Sequence, residues 1–280
     1  MKIDLDIDVH HLTRVEGHGN IHIQVKDGKL IDSKWAVVET PRFFEAMVRG
    51  LSCRIAPTLT SRICGICSIG HTLASLRAVE RALGVDIPPT ARKIRLLAKH
   101  GETLQSHILH VMFLAAPDFF GVDSVIPLIE SHPDVAGVAL RLKGLANDLC
   151  DLVSGRTTHP VSLVLGGVSK VPEEEALKVM KKRIEERLED IIAVAELLKT
   201  LTLPDFVRET EFVSLKGEND YPWIGGDLVS TDGVVKAEDD YRAMTNEYKE
   251  DFTTSKFARL SRESFAVGAL ARFNNNFKLL

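Results

Sequence analysis

The sequence predicts an α+β fold that is mainly α: a long helical bundle core, an N-terminal antiparallel β-hairpin or sheet, and a small β excursion nearer the end. Three observations carry this. Apolar residues alternate with polar ones over residues 3–9 and 21–25, the period of a half-buried strand. They recur at spacings of three and four through much of residues 68–195, the period of an amphipathic helix. Residues 203–255 then mix strand-like text such as Phe212-Val-Ser-Leu215 with turn signals at Gly217, Gly225-Gly226 and Asp232-Gly233.

In chain order, Ile3, Leu5, Ile7 and Val9 form a first strand, and Ile21, Ile23 and Val25 a second. Asp27-Gly28 supports a tight hairpin turn, after which residues 29–38 return as its other strand. Pro41 opens a short helix over 41–51, where its missing N–H would have been unpaired anyway. Leu73, Leu76, Val79 and Leu83 mark a helix that begins at Cys67 and stops at Gly84. Pro88-Pro89 breaks the chain before a mostly buried helix over 91–116, expected to end at Pro117. A further helix runs from Asp134 to Gly155 on the stripe Val135, Val138, Leu142, Leu145, Leu149 and Leu152, with Cys150 beside it as a small hydrophobe. Residues 157–169 read as extended structure or a structured loop. Glu173, Glu174 and Glu175 after Pro172 place negative charge at the positive end of a helix that Ile184, Leu188, Ile191 and Ala195 continue. A last helical pattern starts at Ser261. Neither repeats nor a linker appear, so one domain is expected across 1–280: β-rich over 1–40, helical over 41–202, mixed over 203–260 and helical over 261–280.

Composition narrows the function classes. With 45% hydrophobic and 26% charged residues, 280 residues can bury a large core, and a net charge of −4 gives no electrostatic reason to bind nucleic acid or an anionic membrane. No apolar run approaches the ~20 residues of a transmembrane helix, so no direct membrane span is expected. Four cysteines without a regular framework suit a reducing compartment and no secretory signal opens the sequence, so the expected location is cytoplasmic. Alternating charges such as Lys181-Lys-Arg-Ile-Glu-Glu-Arg187 read as a solvated helix face.

The chemistry concentrates in Thr58-Leu-Thr-Ser-Arg-Ile-Cys-Gly-Ile-Cys-Ser-Ile-Gly-His71. A Cys-x-x-Cys step lets both sulfurs, Cys64 and Cys67, turn toward one point, and soft thiolates suit nickel, zinc or iron better than hard cations. Three readings compete: half of a metal site, a structural zinc site, and a redox-active pair. The zinc reading lacks a second ligand pair, because Cys53 and Cys150 are isolated. The redox reading lacks the preceding strand of a βαβ unit. A helix opening at Cys67 would turn unpaired backbone N–H groups toward its sulfur, a setting that stabilises a thiolate. Taken alone, Glu16 is a solvated loop residue beside Gly17, Glu45 a surface helix residue within reach of Arg49, and His100, His107 and His110 are core or interface residues without a ligand role.

The string Arg62-Ile-Cys-Gly-Ile-Cys-x-x-x-His71 resembles the first cysteine motif of nickel-iron hydrogenase large (alpha) subunits, and Arg14-Val-Glu-Gly-His18 and Arg42-Phe-Phe-Glu45 resemble that family's earlier motifs, in the same order. Leu104–His110, Leu114–Asp118, His159-Pro160, Gly166-Gly167 and Gly268–Phe273 are also similar to family text. The chain is most like the N-terminal portion of the cytoplasmic multi-subunit type; the quinone-site subunit of respiratory complex I, similar in fold, lacks the two cysteines. The resemblance implies an oxidoreductase that reversibly oxidises dihydrogen to protons and electrons. It implies nickel, iron carrying carbon monoxide and cyanide, and magnesium. Cys64 would be a terminal nickel ligand, Cys67 a ligand bridging nickel and iron, and Glu45 a magnesium ligand. Glu16 would relay the proton and His71 would donate to a bridging sulfur. An iron-sulfur small subunit and further electron-transfer subunits are the implied partners. Family members continue beyond the equivalent of Phe273 to a second Cys-x-x-Cys, and nothing here corresponds to it. The expectation is therefore a truncated product or a cage completed by another chain, inactive alone, with a non-catalytic interaction subunit as the alternative.

Overall fold

The computed structural model describes residues 3–262 and 264–280. Its elements, in order, are β1 (Leu5–Val9), β2 (Gly19–Lys26), β3 (Lys29–Val37), α1 (Phe43–Met47), α2 (Ala56–Thr60), α3 (Ser68–Leu83), α4 (Pro89–Ile108), α5 (Ala116–Phe119), α6 (Val125–Ser131) and α7 (Pro133–Ser154). There follow β4 (Leu163–Val164), β5 (Gly167–Val168), α8 (Glu174–Glu185), α9 (Leu188–Lys199), β6 (Glu211–Lys216), β7 (Asp227–Ser230), β8 (Val235–Lys236), α10 (Tyr241–Met244), β9 (Asn246–Lys249), β10 (Lys256–Arg259), β11 (Phe265–Ala266) and α11 (Ala269–Asn276). The mainly helical α+β class is the one the sequence implies. Contacts divide the chain into two compact units, one formed by the residues up to Phe43 together with Asp205–Leu280, the other by Phe44–Pro204.

In the first unit β1, β2 and β3 form an antiparallel sheet in that order, with Leu5 opposite Val25 and Val9 opposite Ile21. Asp27 and Gly28 both have positive φ, 54° and 76°, the requirement of a two-residue turn whose twist matches the strands it joins. A second sheet has the order β11-β6-β7-β8, and its β11–β6 pair is parallel. The helix expected from Ser261 is displaced: Phe265–Ala266 is a strand, α11 begins only at Ala269, and Glu263 lies outside the described residues. Tertiary pairing overrides the helical pattern there. The Arg262 guanidinium bonds Asp232 and Glu209, its backbone N–H donates to the buried Glu211 carboxylate, and the Glu211 N–H donates to the Ser264 carbonyl, which ties Arg262 and Ser264 to β6 and its neighbours.

The second unit is helical. α4 and α7 pack along their lengths, and the cluster Ile108, Met112, Ala139, Leu142 and Val194 forms its core, with α9 contributing Val194 and Leu197. The helix expected to stop at Pro117 continues as a π-helical segment, Leu109–Ala115, and then α5. Ala116 N–H bonds Val111 O, five residues back, so the widened turn receives Pro117, which has no N–H to offer an α ladder. α6, capped by the Ser124 hydroxyl, was not visible in the sequence pattern. Nor does one helix run from Glu174 to Lys199: it breaks at Glu186–Arg187, whose N–H groups both reach Ile184 O. The bend lets both halves pair with α7, Arg183 with Asp148 and Asp190 with Arg141.

One buried ion pair ties α3, α4 and the β4–β5 hairpin together. Arg95 and Glu80, both about 95% or more buried, form two parallel hydrogen bonds, Nη1 to Oε2 at 2.8 Å and Nη2 to Oε1 at 2.6 Å. The remaining capacity is used on the hairpin: Arg95 donates to Val164 O and Gly167 O, and Glu80 accepts from Gly166 N–H. Arg95→Met leaves a charged Glu80 buried without its cation, so it should destabilise the protein by about 3–5 kcal/mol in urea unfolding. A loss below about 1 kcal/mol, the value of an exposed pair, would contradict this assignment.

Candidate metal centre

The two thiols of the central motif come together at the N-terminus of α3. A short 3-10 turn, Ser61–Ile63, leads into Cys64, whose backbone is extended at φ −145° and ψ 132°. Cys67 is the N-cap residue of α3 at φ −109° and ψ 29°. Between them the chain folds back, and the Cys67 N–H donates to the Cys64 sulfur at 3.2 Å. Cys64 is buried and Cys67 half-buried.

His71 lies one turn into the same helix, its N–H bonded to Cys67 O at 3.2 Å. Burial is the main cause of a lowered imidazole pKa; the nearby Glu102 carboxylate opposes this and Lys99 adds to it. Glu102 is buried on α4, accepts the Gly70 N–H at 3.0 Å and pairs with Lys99 at 2.6 Å. A Cβ at Gly70 would stand 3.3 Å from both Glu102 Oε2 and Lys99 Nζ, so glycine lets α3 come this close to α4. Glu45 is exposed on α1. Glu16 is exposed in the β1–β2 connection beside Gly17 and belongs to the first unit, whereas the two thiols, His71 and Glu45 belong to the second.

Among the described residues, three His, Cys, Asp or Glu ligand atoms lie within 4.8 Å of one another only at Asp6, Asp8 and His22, on the polar face of the β1–β2 pair. Glu45 and His71 are thus not gathered into a three-ligand cluster with Cys64 and Cys67. The Asp8 hydrogen bond chiefly raises the His22 pKa, and the group reads as an exposed ion-pair cluster. Cys150 is fully buried against α4, and burial pushes its thiol up to about 12, as befits a small hydrophobe. Cys53 is exposed.

Sequence reasoning gave no role to His159, which lies against the cysteine loop. Its N–H donates to the Ser68 hydroxyl at 2.9 Å, and its ring Nδ1 meets Ser61 O at 2.9 Å. The available signal was the His-Pro pair in a β-branched segment.

Comparison with known proteins finds one family throughout. Residues 42–132, which include both thiols, match the model of the family described as nickel-dependent hydrogenase, and residues 6–40 match one described as HoxL-like. The family match and the relatives that follow make the chain similar to nickel-dependent hydrogenase large subunits. It is 33% identical to the sulfhydrogenase 2 alpha subunit of Pyrococcus furiosus, over 95% of this chain and 62% of that protein. It is 31% identical to the sulfhydrogenase 1 alpha subunit of the same organism, over 99% and 65%. The chain therefore spans somewhat under two thirds of the length of these relatives. In structure it is similar to an NAD+-reducing [NiFe]-hydrogenase in the H2-reduced state, with a TM-score of 0.86 and 27% identity, covering 98% of this chain and 67% of that one. Its fold is also shared with the [NiFeSe]-hydrogenase of Dm. baculatum, at a TM-score of 0.72 and 20% identity.

In the metal-free chain the His71 titration midpoint should fall below the ordinary 6.5, leaving the ring neutral at pH 7. The unfolded chain then takes up this proton first. The stability contributed by neutral His71 is complete above the unfolded value and is lost as pH falls from there through the lowered folded one. Following the imidazole ring protons by NMR checks this. Glu102→Gln should depress the midpoint further, because the opposing carboxylate charge is gone; a midpoint that stays at or above 6.5 in both proteins would contradict the burial argument.

Proposed function

We propose that this chain supplies Cys64 and Cys67 to the nickel-iron centre of a hydrogenase that reversibly oxidises dihydrogen to protons and electrons. The observation that carries the reading is the paired thiol site at the head of α3, inside the segment that matches the nickel-dependent hydrogenase family. The donor set fits: two sulfurs, one on a buried and one on a half-buried residue, with an N–H directed at the first, suit a soft redox-active metal and not magnesium. When bound, the metal pair supplies the Lewis acidity and redox capacity for splitting dihydrogen, with carbon monoxide and cyanide completing iron.

The protein's own residues orient the sulfurs and move the proton. Cys64 and Cys67 hold the metal. His71, kept neutral by burial, can donate one ring N–H to a sulfur while carrying no charge that would compete for it. Glu16 is the proposed relay, a carboxylate that takes the proton at one oxygen and releases it to solvent, as its exposure permits. Glu45, an exposed oxygen donor, is the proposed magnesium ligand. The two electrons pass to an iron-sulfur small subunit, and from it to further electron-transfer subunits. A cytoplasmic location is consistent with the reduced thiols and with the lack, among the described residues, of a helix long and apolar enough to cross a membrane.

One panel of variants in the protein that carries this chain tests the reading. Cys64→Ser and Cys67→Ser should each reduce bound nickel to about a tenth or less, since a hydroxyl is a harder and poorer ligand. Glu16→Gln should retain nickel yet slow exchange between deuterium gas and water by about 10²–10⁴-fold, because an amide cannot relay a proton. Full nickel content in both serine variants would overturn the ligand assignment, and wild-type exchange in Glu16→Gln would move the relay to another group.

A further inference from the structure

We infer that His159 is a positioning residue that clamps both ends of the cysteine loop and sets the separation of the two sulfurs. This rests on the proposal that Cys64 and Cys67 hold the metal. The ring Nδ1 faces Ser61 O, which can only accept, so Nδ1 carries the proton and donates. The backbone N–H of the same residue donates to the Ser68 hydroxyl. Ser61 precedes Cys64 and Ser68 follows Cys67, so one residue grips segment 61–68 on either side of the thiols. Both serines are buried, at 3% and 0% exposure, where water cannot replace a lost bond.

The clamp is itself anchored. Just before it, Thr157 bonds Asp151 and the Asn147 carbonyl at the end of α7. Just after it, the N–H groups of Val161 and Ser162 both donate to Ser154 O. His159 adopts φ 57°, a left-handed conformation that costs energy for most residues and persists where the surroundings enforce it. Neighbouring Thr158 reaches the loop as well, 3.8 Å from where a Cβ on Gly65 would stand. A strap braced on α7 therefore holds the loop from outside, where the loop's own Cys67 N–H to Cys64 sulfur bond holds it from within. Released, the loop is free to close, and the two thiols to pair as a disulfide.

The test reads the thiol pair without its metal. In the full chain with Cys53→Ser, the Cys64–Cys67 couple is equilibrated against dithiothreitol: two thiols lose two protons and two electrons, and oxidised dithiothreitol gains them. His159→Gly keeps the left-handed backbone but removes the ring bond. It should favour the disulfide at least about tenfold, a shift of about 30 mV for two electrons. His159→Asn tolerates the same backbone and places an amide nitrogen where Nδ1 was, so it should stay within about twofold of wild type. Ser68→Ala, which removes the second bond, should move the same way as His159→Gly. An unchanged constant in both His159→Gly and Ser68→Ala, or an asparagine variant displaced as far as the glycine one, would overturn the clamp. Thermal melting of each variant identifies any that fails to fold, and Ser68→Ala then decides alone. Nickel analysis of the native protein that carries this chain separates the two ideas: absence of nickel there would remove the metal reading while leaving the redox shift to judge the clamp.

Discussion

The buried Glu80–Arg95 pair is the constraint on which the second unit depends. Such a pair adds little net stability, because taking both charges out of water offsets most of their attraction. What it does is select one arrangement. The two carboxylate oxygens and the guanidinium fork are satisfied only when α3, α4 and the β4–β5 hairpin meet in one register. At the other end of α3, Glu102 on α4 receives Gly70 N–H, so the helix is pinned to α4 near both ends. The N-terminus that carries Cys67 thus sits on a helix tied to α4 near both ends, the kind of support a binding site needs.

From that fixed helix the site follows by short steps. Cys67 caps α3, its N–H turns toward the Cys64 sulfur, and His71 sits one turn below in surroundings that keep its ring uncharged. Chemistry is divided by hardness: sulfur donors lie at the helix head, and the carboxylates of Glu45 and Glu16 lie at exposed positions. Sulfur suits a soft metal, and the proposed roles of the two carboxylates, proton movement and a hard cation, suit oxygen. Cys150, enclosed and held as a thiol, stays out of that chemistry although it belongs to the same unit.

Much of this was legible because local rules coincide with tertiary ones. Strand alternation and the Asp27-Gly28 turn define β1–β3, and the stripe ending at Gly84 defines α3 and places Cys67 at its head. The misses share a cause, since each was decided by partners distant in sequence. Pro117 reads as a stop, yet the π-helical segment absorbs it. Glu186–Arg187 carries no glycine or proline, and pairing with Asp148 and Arg141 on α7 accompanies the break there. Residues 261–266 have a helical pattern, but pairing with β6 draws Phe265–Ala266 into a strand. His159, legible only as part of a His-Pro pair similar to family text, had no readable role because its contacts, with Ser61 and Ser68, are long-range and partly through backbone atoms.

The central claim is that the Cys64 and Cys67 sulfurs bind nickel, and nickel K-edge X-ray absorption on the native protein tests it most directly. The account predicts a sulfur-rich first shell that loses one sulfur scatterer in Cys64→Ser. A shell of nitrogen and oxygen alone, or a sulfur count that the substitution leaves unchanged, would contradict it.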